Sequence, residues 1–282
     1  MRFYIVIPAH NEEDSIALTL ESLVNQTLLP NKIVIVNDNS IDDTQTIVEG
    51  FSKKHDCITL VNNKSSDLHL PGTKIINAFY KGYDILDDNF DIICKFDADL
   101  IFPVDYLEKL SLQFSTNEKL GMAAGFCYIQ KNEEWIIEGF TNKDHIRGAL
   151  KAYRKECFNN IDKLKPSIGW DTVDELLAKF YKWQIKLDDS LKVKHLKPTG
   201  STYNKASKHL QGEAMYKMRY GIILGILTGL KMAWGKKSLS YFFDYTLGYL
   251  KALFNKTDYI VTKDQGKFIR NYRWIGIRSK FF

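Results

Sequence analysis

Short apolar runs alternate with segments of helical periodicity through the first half of the chain. Apolar, β-prone runs predict strands over 3–7, 32–36, 58–61, 91–96 and 122–126. Apolar residues spaced three to four positions apart predict helices over 16–25, 42–54, 73–86 and 105–117. This alternation is typical of stacked βαβ units around a mostly parallel sheet flanked by helices, so the sequence predicts an α/β fold.

The simple alternation fades after about residue 130. Residues 144–158 form a basic segment of mixed pattern, and no strand or helix is assigned to it. A helix over 171–183 and a strand over 191–196 are predicted next. Residues 221–254 are rich in aliphatic and aromatic side chains with lysines between them, which favours helices lying at a membrane interface. The equally open alternative is a helical hairpin that packs on the predicted α/β part of the chain.

Polar clusters follow three of the predicted strands, at 8–13 (PAHNEE), 37–40 (NDNS) and 97–99 (DAD). Ligands bind outside the carboxyl ends of the strands of an open parallel sheet, so these clusters are expected to line one crevice. A plainer role for some of these residues is helix capping: Asp14 or Ser15 for the first helix, and Ser40 for the second.

The chain's 282 residues fit one large α/β domain and an appendage, which we place at 1–200 and 201–282. With 45% hydrophobic and 26% charged residues, the composition excludes a disordered protein. The net charge of +5 hides an asymmetry, because the part from Gly200 onward holds 15 Lys/Arg and 4 Asp/Glu. Such a basic helical tail favours an anionic partner such as lipid head groups or nucleic acid. A solvated helix surface is the alternative.

The four cysteines stand far apart, without zinc-ligand spacing, and are expected to be reduced core residues of a cytoplasmic protein. The apolar run at 3–7 is stopped by Pro8 and is too short for a signal peptide. No run of eighteen residues is free of charge, so the sequence predicts no membrane-spanning helix.

Asp97 and Asp99 place two carboxylates one residue apart directly after a buried strand. Mg²⁺ and Mn²⁺ prefer oxygen ligands and commonly complete their coordination shell with phosphate oxygens. The pair is therefore suited to hold a divalent ion beside a nucleoside diphosphate, whose departure from a sugar leaves concentrated negative charge.

Several motifs in order resemble those of the family 2 glycosyltransferases, which have the nucleotide-sugar-binding GT-A fold. They are VIPAHNEE at 6–13, VNDNS at 36–40, DDT at 42–44, DAD at 97–99 and GWD at 169–171. No one of them is decisive, but their order and spacing together are highly specific. The resemblance runs from Phe3 to about Gly200.

The resemblance implies roles for individual residues. The first nucleotide-contacting loop of the family is matched by Pro8, Ala9 and Glu12, and the acid that receives the ring N–H of the base is matched by Asp38. The metal-binding pair, which also contacts the donor, is matched by Asp97 and Asp99.

The resemblance also implies a catalytic base and a further metal ligand. Asp171 matches the aspartate that ends the family's acidic base motif, although Trp170 stands where the family usually has Glu. That departure leaves Asp174 or Glu175 as possible substitutes, and a helix N-cap is the structural alternative for Asp171. His195 lies where family members often complete the metal shell, with a hydrogen-bonded structural histidine as the alternative.

Three basic residues are further candidates for contacts with phosphate. Lys74 and Arg147 could approach the diphosphate, and the segment 145–148 around His145 could contact acceptor or phosphate. All three could equally be solvated.

The predicted activity is an inverting transfer of a sugar from a nucleotide-sugar donor to an acceptor hydroxyl, dependent on Mn²⁺ or Mg²⁺. The expected acceptor is a glycan or a lipid-linked glycan of cell-envelope synthesis, at the inner face of the membrane. The tail is expected to make a peripheral membrane contact, and we expect no nucleic-acid partner.

Two other enzyme classes are excluded by the loop at 8–13. A dinucleotide-binding oxidoreductase and a sugar-1-phosphate nucleotidyltransferase would both need glycines there, and the loop has none. A catalytically silent relative that binds a membrane or partner remains the alternative, although intact acids at 38, 97, 99 and 171 argue against it.

Overall fold

The computed structural model describes residues 1–65, 72–138, 145–197 and 207–279. Within these ranges nine strands form one sheet, and helices pack around it in an α/β arrangement. The elements are, in chain order, β1 (Phe3–Ala9), α1 (Ile16–Val24), β2 (Lys32–Asp38), α2 (Thr44–Ser52), β3 (Ile58–Asn63), α3 (Thr73–Tyr83), β4 (Ile92–Phe96), β5 (Leu100–Ile101), α4 (Tyr106–Thr116), β6 (Leu120–Lys131), β7 (Glu134–Ile137), β8 (Leu150–Arg154), α5 (Lys155–Asn160), α6 (Trp170–Phe180), β9 (Gln184–His195), α7 (Ser207–Lys217), α8 (Ile222–Gly235), α9 (Leu239–Phe254) and α10 (Lys263–Arg278).

The first half of the sheet is parallel, in the order β3-β2-β1-β4. Strand β1 reads FYIVIPA and is buried at every position except Pro8, and β4 is buried throughout. Strands that are apolar along their whole length are typical of parallel sheets covered by helices. The five strands predicted from the apolar runs are all present, and the predicted parallel order holds in this half.

The second half of the sheet continues from β4 as β8-β6-β9-β5. Strand β8 is antiparallel to β4 and β6, whereas β6 and β9 are parallel. The described part of 144–158 is therefore β8 and α5, and β8 is an interior strand of the sheet. The apolar pattern did not predict β8, because Lys151 interrupts the apolar run. Strands β5 and β7 were not predicted either, and the predicted start of β9 was 191 rather than Gln184.

Several predicted helix ends were wrong. Helix α6 ends at Phe180 rather than 183, because Lys182 has a φ of 66° and turns the chain toward β9. Ser40 does not cap α2, whose N-cap residue is Asp43; instead its hydroxyl accepts a hydrogen bond from the Asn11 N–H. Ser15 occupies the N-cap position of α1, but its hydroxyl donates to Glu12.

The cysteines agree with the expectation of reduced core residues. All four are free thiols, and Cys94, Cys127 and Cys157 are buried, whereas Cys57 is half-buried. Burial raises the pKa of each of the three buried thiols, which keeps them protonated at neutral pH.

The C-terminal helices pack on the body at two places. Met218, just after α7, lies beside Gly169 at the start of α6, and α10 contacts α6 through a hydrogen bond from the Gln265 amide to the Tyr181 hydroxyl at 3.4 Å. Among the described helices, none combines the length and apolar character needed to cross a membrane. The predicted division at residue 200 lies outside the described residues and stays a prediction.

Helices α7 and α9 cross so closely that side chains are excluded at the crossing. A Cβ on Gly248 would lie 1.9 Å from the His209 carbonyl oxygen, and one on Gly212 would lie 1.8 Å from the Tyr245 carbonyl oxygen. Backbone atoms cannot move aside as a flexible side chain can, so the two glycines fix the distance between the helices.

We predict that Gly248→Ala lowers the free energy of unfolding by about 1–3 kcal/mol, because the helices must separate to accept the methyl group. The matched control is Gly276→Ala in α10, where a Cβ meets nothing within 4 Å. That change should raise stability by up to about 1 kcal/mol through helix propensity alone. Thermal and urea unfolding of both variants measure the difference, and equal stabilisation by both would contradict the close crossing.

Candidate active site

Three neighbouring parallel strands end at one edge of the sheet and bring the predicted site residues together. Strand β1 lies between β2 and β4, so the segments after Ala9, Asp38 and Phe96 leave the sheet side by side. The segments expected to line one crevice therefore lie at the same edge of the sheet, at the carboxyl ends of these strands.

The loops after β1 and β2 are tied together by hydrogen bonds. The Glu12 N–H donates to the Thr44 hydroxyl at 2.7 Å, and the Asn11 side-chain carbonyl accepts from the Ile41 N–H at 2.9 Å. The Glu12 carboxylate accepts hydrogen bonds from Ser15 Oγ at 2.6 Å and from Lys197 Nζ at 2.7 Å. These contacts fix the loop that begins at Pro8 and Ala9. They also place Lys197, which comes shortly after β9, beside that loop.

Asp38 is buried at the end of β2, and its carboxylate is bound by the end of β3. It accepts hydrogen bonds from Asn63 Nδ2 at 2.7 Å, Ser65 Oγ at 2.9 Å and the Ser65 N–H at 3.2 Å. The carboxylate is thus oriented by three donors.

Asp97, Asp99 and His195 meet at the same edge, as the sequence predicted. The antiparallel pairing of β5 with β9 puts Leu100 opposite His195, and His195 Nε2 lies 3.3 Å from Asp99 Oδ2. One ligand atom from each of the three side chains lies within 4.8 Å of the others. Two carboxylates and an imidazole at this separation fit one divalent ion, with Mn²⁺ accepting the imidazole more readily than Mg²⁺.

Glu138, at the end of β7, holds the other ring nitrogen of His195. Its Oε2 lies 2.8 Å from His195 Nδ1 and 3.2 Å from Arg147 Nη2. Burial lowers the pKa of His195, but hydrogen bonds with Asp99 and Glu138 outweigh it and raise the pKa to about 9. A carboxylate on Nδ1 leaves Nε2 facing the aspartates, which is the orientation that a histidine ligand requires.

Lys95 adds a buried cation next to Asp97. Its ammonium group pairs with Asp97 and donates to the Gly148 carbonyl at 3.1 Å, and its side chain is only 1% exposed. Asp97 directly follows β4 and lies two residues after Lys95, so the two partners are close in the sequence. This pairing was not predicted, although a lysine within the apolar run of β4 needs an acidic partner.

Asp171 lies in the first turn of α6, after Gly169, whose φ of 77° turns the chain into the helix. It does not cap the helix, because α6 begins at Trp170 and the N-cap position belongs to Gly169. His145 stands beside it, with Nε2 at 3.6 Å from Asp171 Oδ2 and Nδ1 at 3.0 Å from Glu175 Oε1. Burial raises the pKa of Asp171, but His145 and Lys151 lower it by a larger amount. The pKa of Asp171 is therefore below its ordinary value.

The two alternatives to Asp171 are held in a buried ion pair. Lys151 Nζ lies 2.8 Å from both oxygens of Asp174 and 3.3 Å from Glu175 Oε1, and Glu175 also accepts from the Ile146 N–H at 2.8 Å. The side chains of Asp174 and Glu175 are 1% and 7% exposed, against 32% for Asp171. Of the three acids, Asp171 is therefore by far the most exposed.

Trp170 lies between two buried lysines of neighbouring strands. Lys95 Nζ and Lys151 Nζ lie 5.4 Å and 5.6 Å from the centroid of its ring, so two buried cations contact one indole. Both lysines are opposite each other in the β4–β8 pair. Trp170, which stands where the family usually has Glu, thus occupies the space between two ion pairs. One is Lys95 with Asp97, and the other is Lys151 with Asp174.

The remaining predicted contacts have mixed outcomes. Arg147 pairs with Glu138, and His145 pairs with the acids of α6, so neither is simply solvated. Burial lowers the pKa of His145, but Asp171 and Glu175 outweigh it and raise it to about 9. Lys74 lies in the first turn of α3, where its neighbour Gly72 packs against the backbone at Ser167 and Ile168.

Curated relatives match part of the chain. The probable glycosyltransferase YdaM of Bacillus subtilis is 32% identical over 144 residues, covering 50% of this chain and 33% of that protein. The poly-beta-1,6-N-acetyl-D-glucosamine synthase of Staphylococcus epidermidis is 29% identical over 120 residues, covering 43% of this chain and 27% of that protein. The match thus spans about a third or less of either relative.

Solved structures share the fold at low sequence identity. The S. aureus TarS 1-349 structure in complex with UDP-GlcNAc has a TM-score of 0.58 at 16% identity and covers 82% of this chain and 67% of that one. The mannosyltransferase PcManGT from Pyrobaculum calidifontis, in complex with GDP-Man and Mn²⁺, has a TM-score of 0.57 at 11% identity and covers 98% of this chain and 80% of that one.

The family model described as glycosyl transferase family 2 matches residues 4–164, more than half of the chain. That range holds β1 to β8, with the crevice loops, Asp38, Asp97 and Asp99. Sequence motifs, sheet order and structural neighbours agree, and the chain belongs to glycosyltransferase family 2.

Proposed function

We propose that the protein transfers a sugar from a nucleoside diphosphate to an acceptor hydroxyl, with inversion at the anomeric carbon. The observation that carries this proposal is the convergence of ligand atoms from Asp97, Asp99 and His195 within 4.8 Å of one another, at the sheet edge where donor-binding loops end. A divalent ion held there supplies the positive charge that stabilises a departing diphosphate.

Asp97, Asp99 and His195 would hold the ion, and Lys95 balances the charge of Asp97 from the buried side. Lys95 is almost fully buried and paired, so it orients Asp97 and is not exposed to the donor. The imidazole favours Mn²⁺ over Mg²⁺. A neighbour of the same fold was solved with GDP-Man and Mn²⁺, which supports a divalent ion in this place.

Asp171 is the proposed base. The acceptor oxygen forms a bond to the anomeric carbon as the bond from that carbon to the diphosphate oxygen breaks. The acceptor proton passes to the Asp171 carboxylate, and the diphosphate leaves with the bonding electron pair. Because its pKa is lowered, Asp171 is ionised at neutral pH and ready to accept the proton. Asp174 and Glu175 keep their partners and serve to hold Lys151.

The donor's nucleoside is assigned to the loops at Pro8, Ala9, Glu12 and Asp38. Asp38 is buried and bound by three donors, so it offers a rigid acceptor for a ring N–H. We further propose that the acceptor is a cell-envelope glycan or its lipid-linked form, supported by the relative named as a polysaccharide synthase.

We predict that Mn²⁺ and a nucleoside diphosphate together raise the melting temperature, because binding to the folded state alone stabilises it by about 2.7 kcal/mol at a hundred times the Kd. UDP, GDP and dTDP are tested with and without Mn²⁺ or Mg²⁺. Asp97→Asn and Asp99→Asn should abolish the metal-dependent part, whereas Asp162→Asn, at a side chain that is 91% exposed, should not. A relative without catalytic function would show no metal-dependent shift for any of the nucleotides.

Asp171→Asn should retain the Mn²⁺-dependent nucleotide shift while turnover falls by roughly 10²-fold or more, since an amide cannot accept the acceptor's proton. Turnover is measured as nucleoside diphosphate release from the donor found in a screen of UDP-, GDP- and dTDP-sugars. NMR of the new linkage reports whether the anomeric configuration is inverted. Unchanged turnover in this variant would remove Asp171 from the mechanism.

Glu138→Gln should weaken Mn²⁺ binding in the presence of nucleotide by about 10- to 100-fold, because the His195 ring loses the carboxylate that orients it. The control is Glu134→Gln, an exposed carboxylate in β7, the strand that Glu138 directly follows. Calorimetric titration with Mn²⁺ measures both affinities. Equal affinities in the two variants would mean that Glu138 serves only its ion pair with Arg147.

A further inference from the structure

Helices α8 and α9 each carry a row of exposed apolar side chains along one side. On α8 the exposed side chains are Ile223, Ile226, Leu227, Leu230 and Trp234, and on α9 they are Leu239, Phe243, Leu247, Leu250 and Phe254. These positions recur every three or four residues, so each set forms one stripe along its helix. We call the two stripes together the hairpin face.

The opposite sides of both helices are already filled. Gly225 and Gly229 of α8 lie against the rings of Tyr249 and Tyr245 of α9, and a Cβ on either glycine would come within 3.0 Å of a ring carbon. Gly248 of α9 lies against α7. The hairpin is therefore fixed to the molecule by its inner side, and the hairpin face is what remains unpacked in the described structure.

Exposed apolar side chains elsewhere on the described body are scattered. Ile41 in the loop after β2 and Leu112 on α4 are examples, with 93% and 63% of their surfaces exposed. Single exposed residues of this kind are normal in soluble proteins, whereas a continuous apolar stripe marks a surface that contacts something. The hairpin face is of the second kind, with Trp234 88% and Phe254 77% exposed.

Lysines border the hairpin face. Lys231 and Lys251 are exposed and each stands one helical turn after a stripe residue, Leu227 and Leu247 respectively. Lys236 and Lys237 form the turn between the helices, next to Trp234. Residues 221–256 hold five lysines and a single acid, Asp244. Apolar side chains flanked by lysines, with aromatic rings at the ends, are the pattern of helices that lie in a membrane interface.

The same charges argue against a second copy of the chain as the partner. A symmetric dimer through this face would bring the same patch against itself, with its excess of lysines on both sides. Like charges facing each other across an interface cost several kcal/mol in principle, whereas anionic head groups attract each lysine.

We propose that the hairpin face docks on the surface of a membrane containing anionic lipids, with α8 and α9 lying in the plane of the bilayer. Helix α8 has 14 residues and α9 has 16, or about 21 and 24 Å of length at 1.5 Å per residue. Both are shorter than the apolar core of a bilayer, about 30 Å, so the helices lie along the surface. The apolar stripes enter the interface while the lysines reach the head groups.

The test is co-flotation of the full chain with vesicles of phosphatidylcholine alone or of phosphatidylcholine with phosphatidylglycerol. Binding is expected only to the anionic vesicles at low salt, with release at high salt because screening weakens the lysine contacts. Phe243→Ser should weaken binding by about tenfold or more, since a large buried side chain is lost from the interface. The control Leu112→Ser on α4 should bind as the unchanged protein does.

Two double variants test whether the lysines contribute to membrane binding. Lys236→Gln with Lys237→Gln should weaken binding about 25-fold, at roughly fivefold for each lysine near an anionic surface. The matched control is Lys53→Gln with Lys54→Gln, an exposed pair on the body, which should have no effect. Thermal unfolding and the Mn²⁺-dependent nucleotide shift are measured on every variant, so a failure of donor binding is recognised separately from a failure of docking.

Equal binding to both kinds of vesicle, or none to either, would overturn the proposal. So would equal losses in the hairpin and body variants. Light scattering without lipid measures whether the protein forms a dimer. A dimer that Phe243→Ser dissociates would assign the hairpin face to a second copy of the chain and reject membrane docking.

Discussion

Two buried lysines that face each other across neighbouring strands constrain the whole site. Lys95 and Lys151 are opposite partners in the β4–β8 pair, and both are almost fully buried. Like charges placed directly opposite on a sheet are destabilising, and an unpaired buried charge costs still more. Each lysine therefore needs its own acid: Asp97 for Lys95, and Asp174 with Glu175 for Lys151. The indole of Trp170 lies against both ammonium groups, and Asp171 is the next residue. Charge balance in the core thus fixes where Asp97, Asp174 and Glu175 stand.

The parallel half of the fold was predictable because its signal is local. Strands β1 to β4 are apolar runs separated by helices with clear periodicity, so each element could be recognised in its own short stretch of sequence. The second half depends on pairing between distant segments: β5 is two residues long and exists only because β9 returns beside it. Strand β8 carries Lys151 as its second residue, and a lysine there interrupts the hydrophobic pattern from which strands are predicted. The lysine is buried only because α6 supplies acids from 23 residues further along the chain.

The candidate site shows the same difference between residues with a local sequence signal and residues placed by distant segments. Family motifs identified Asp97, Asp99, His195 and Asp171 by position, and the structure brings the first three together. The sequence left Asp174 and Glu175 as alternatives to Asp171, because nothing local shows that Lys151 and His145 hold them. Glu138 and the donors to Asp38 were missed for the same reason, since each comes from another strand. A buried lysine within an apolar strand is a usable signal for such partners, because it demands a carboxylate nearby.

Strand β9 connects the two chemical roles. It begins shortly after α6, which carries Asp171, and ends at His195 beside Asp99, running along β6 for most of its length. The proposed base on α6 and the proposed metal ligand His195 on β9 are therefore carried by two consecutive regular elements. Rigid elements keep reacting groups at a fixed separation, which is what the proposed displacement with inversion requires, because the acceptor must approach from the side opposite the leaving group.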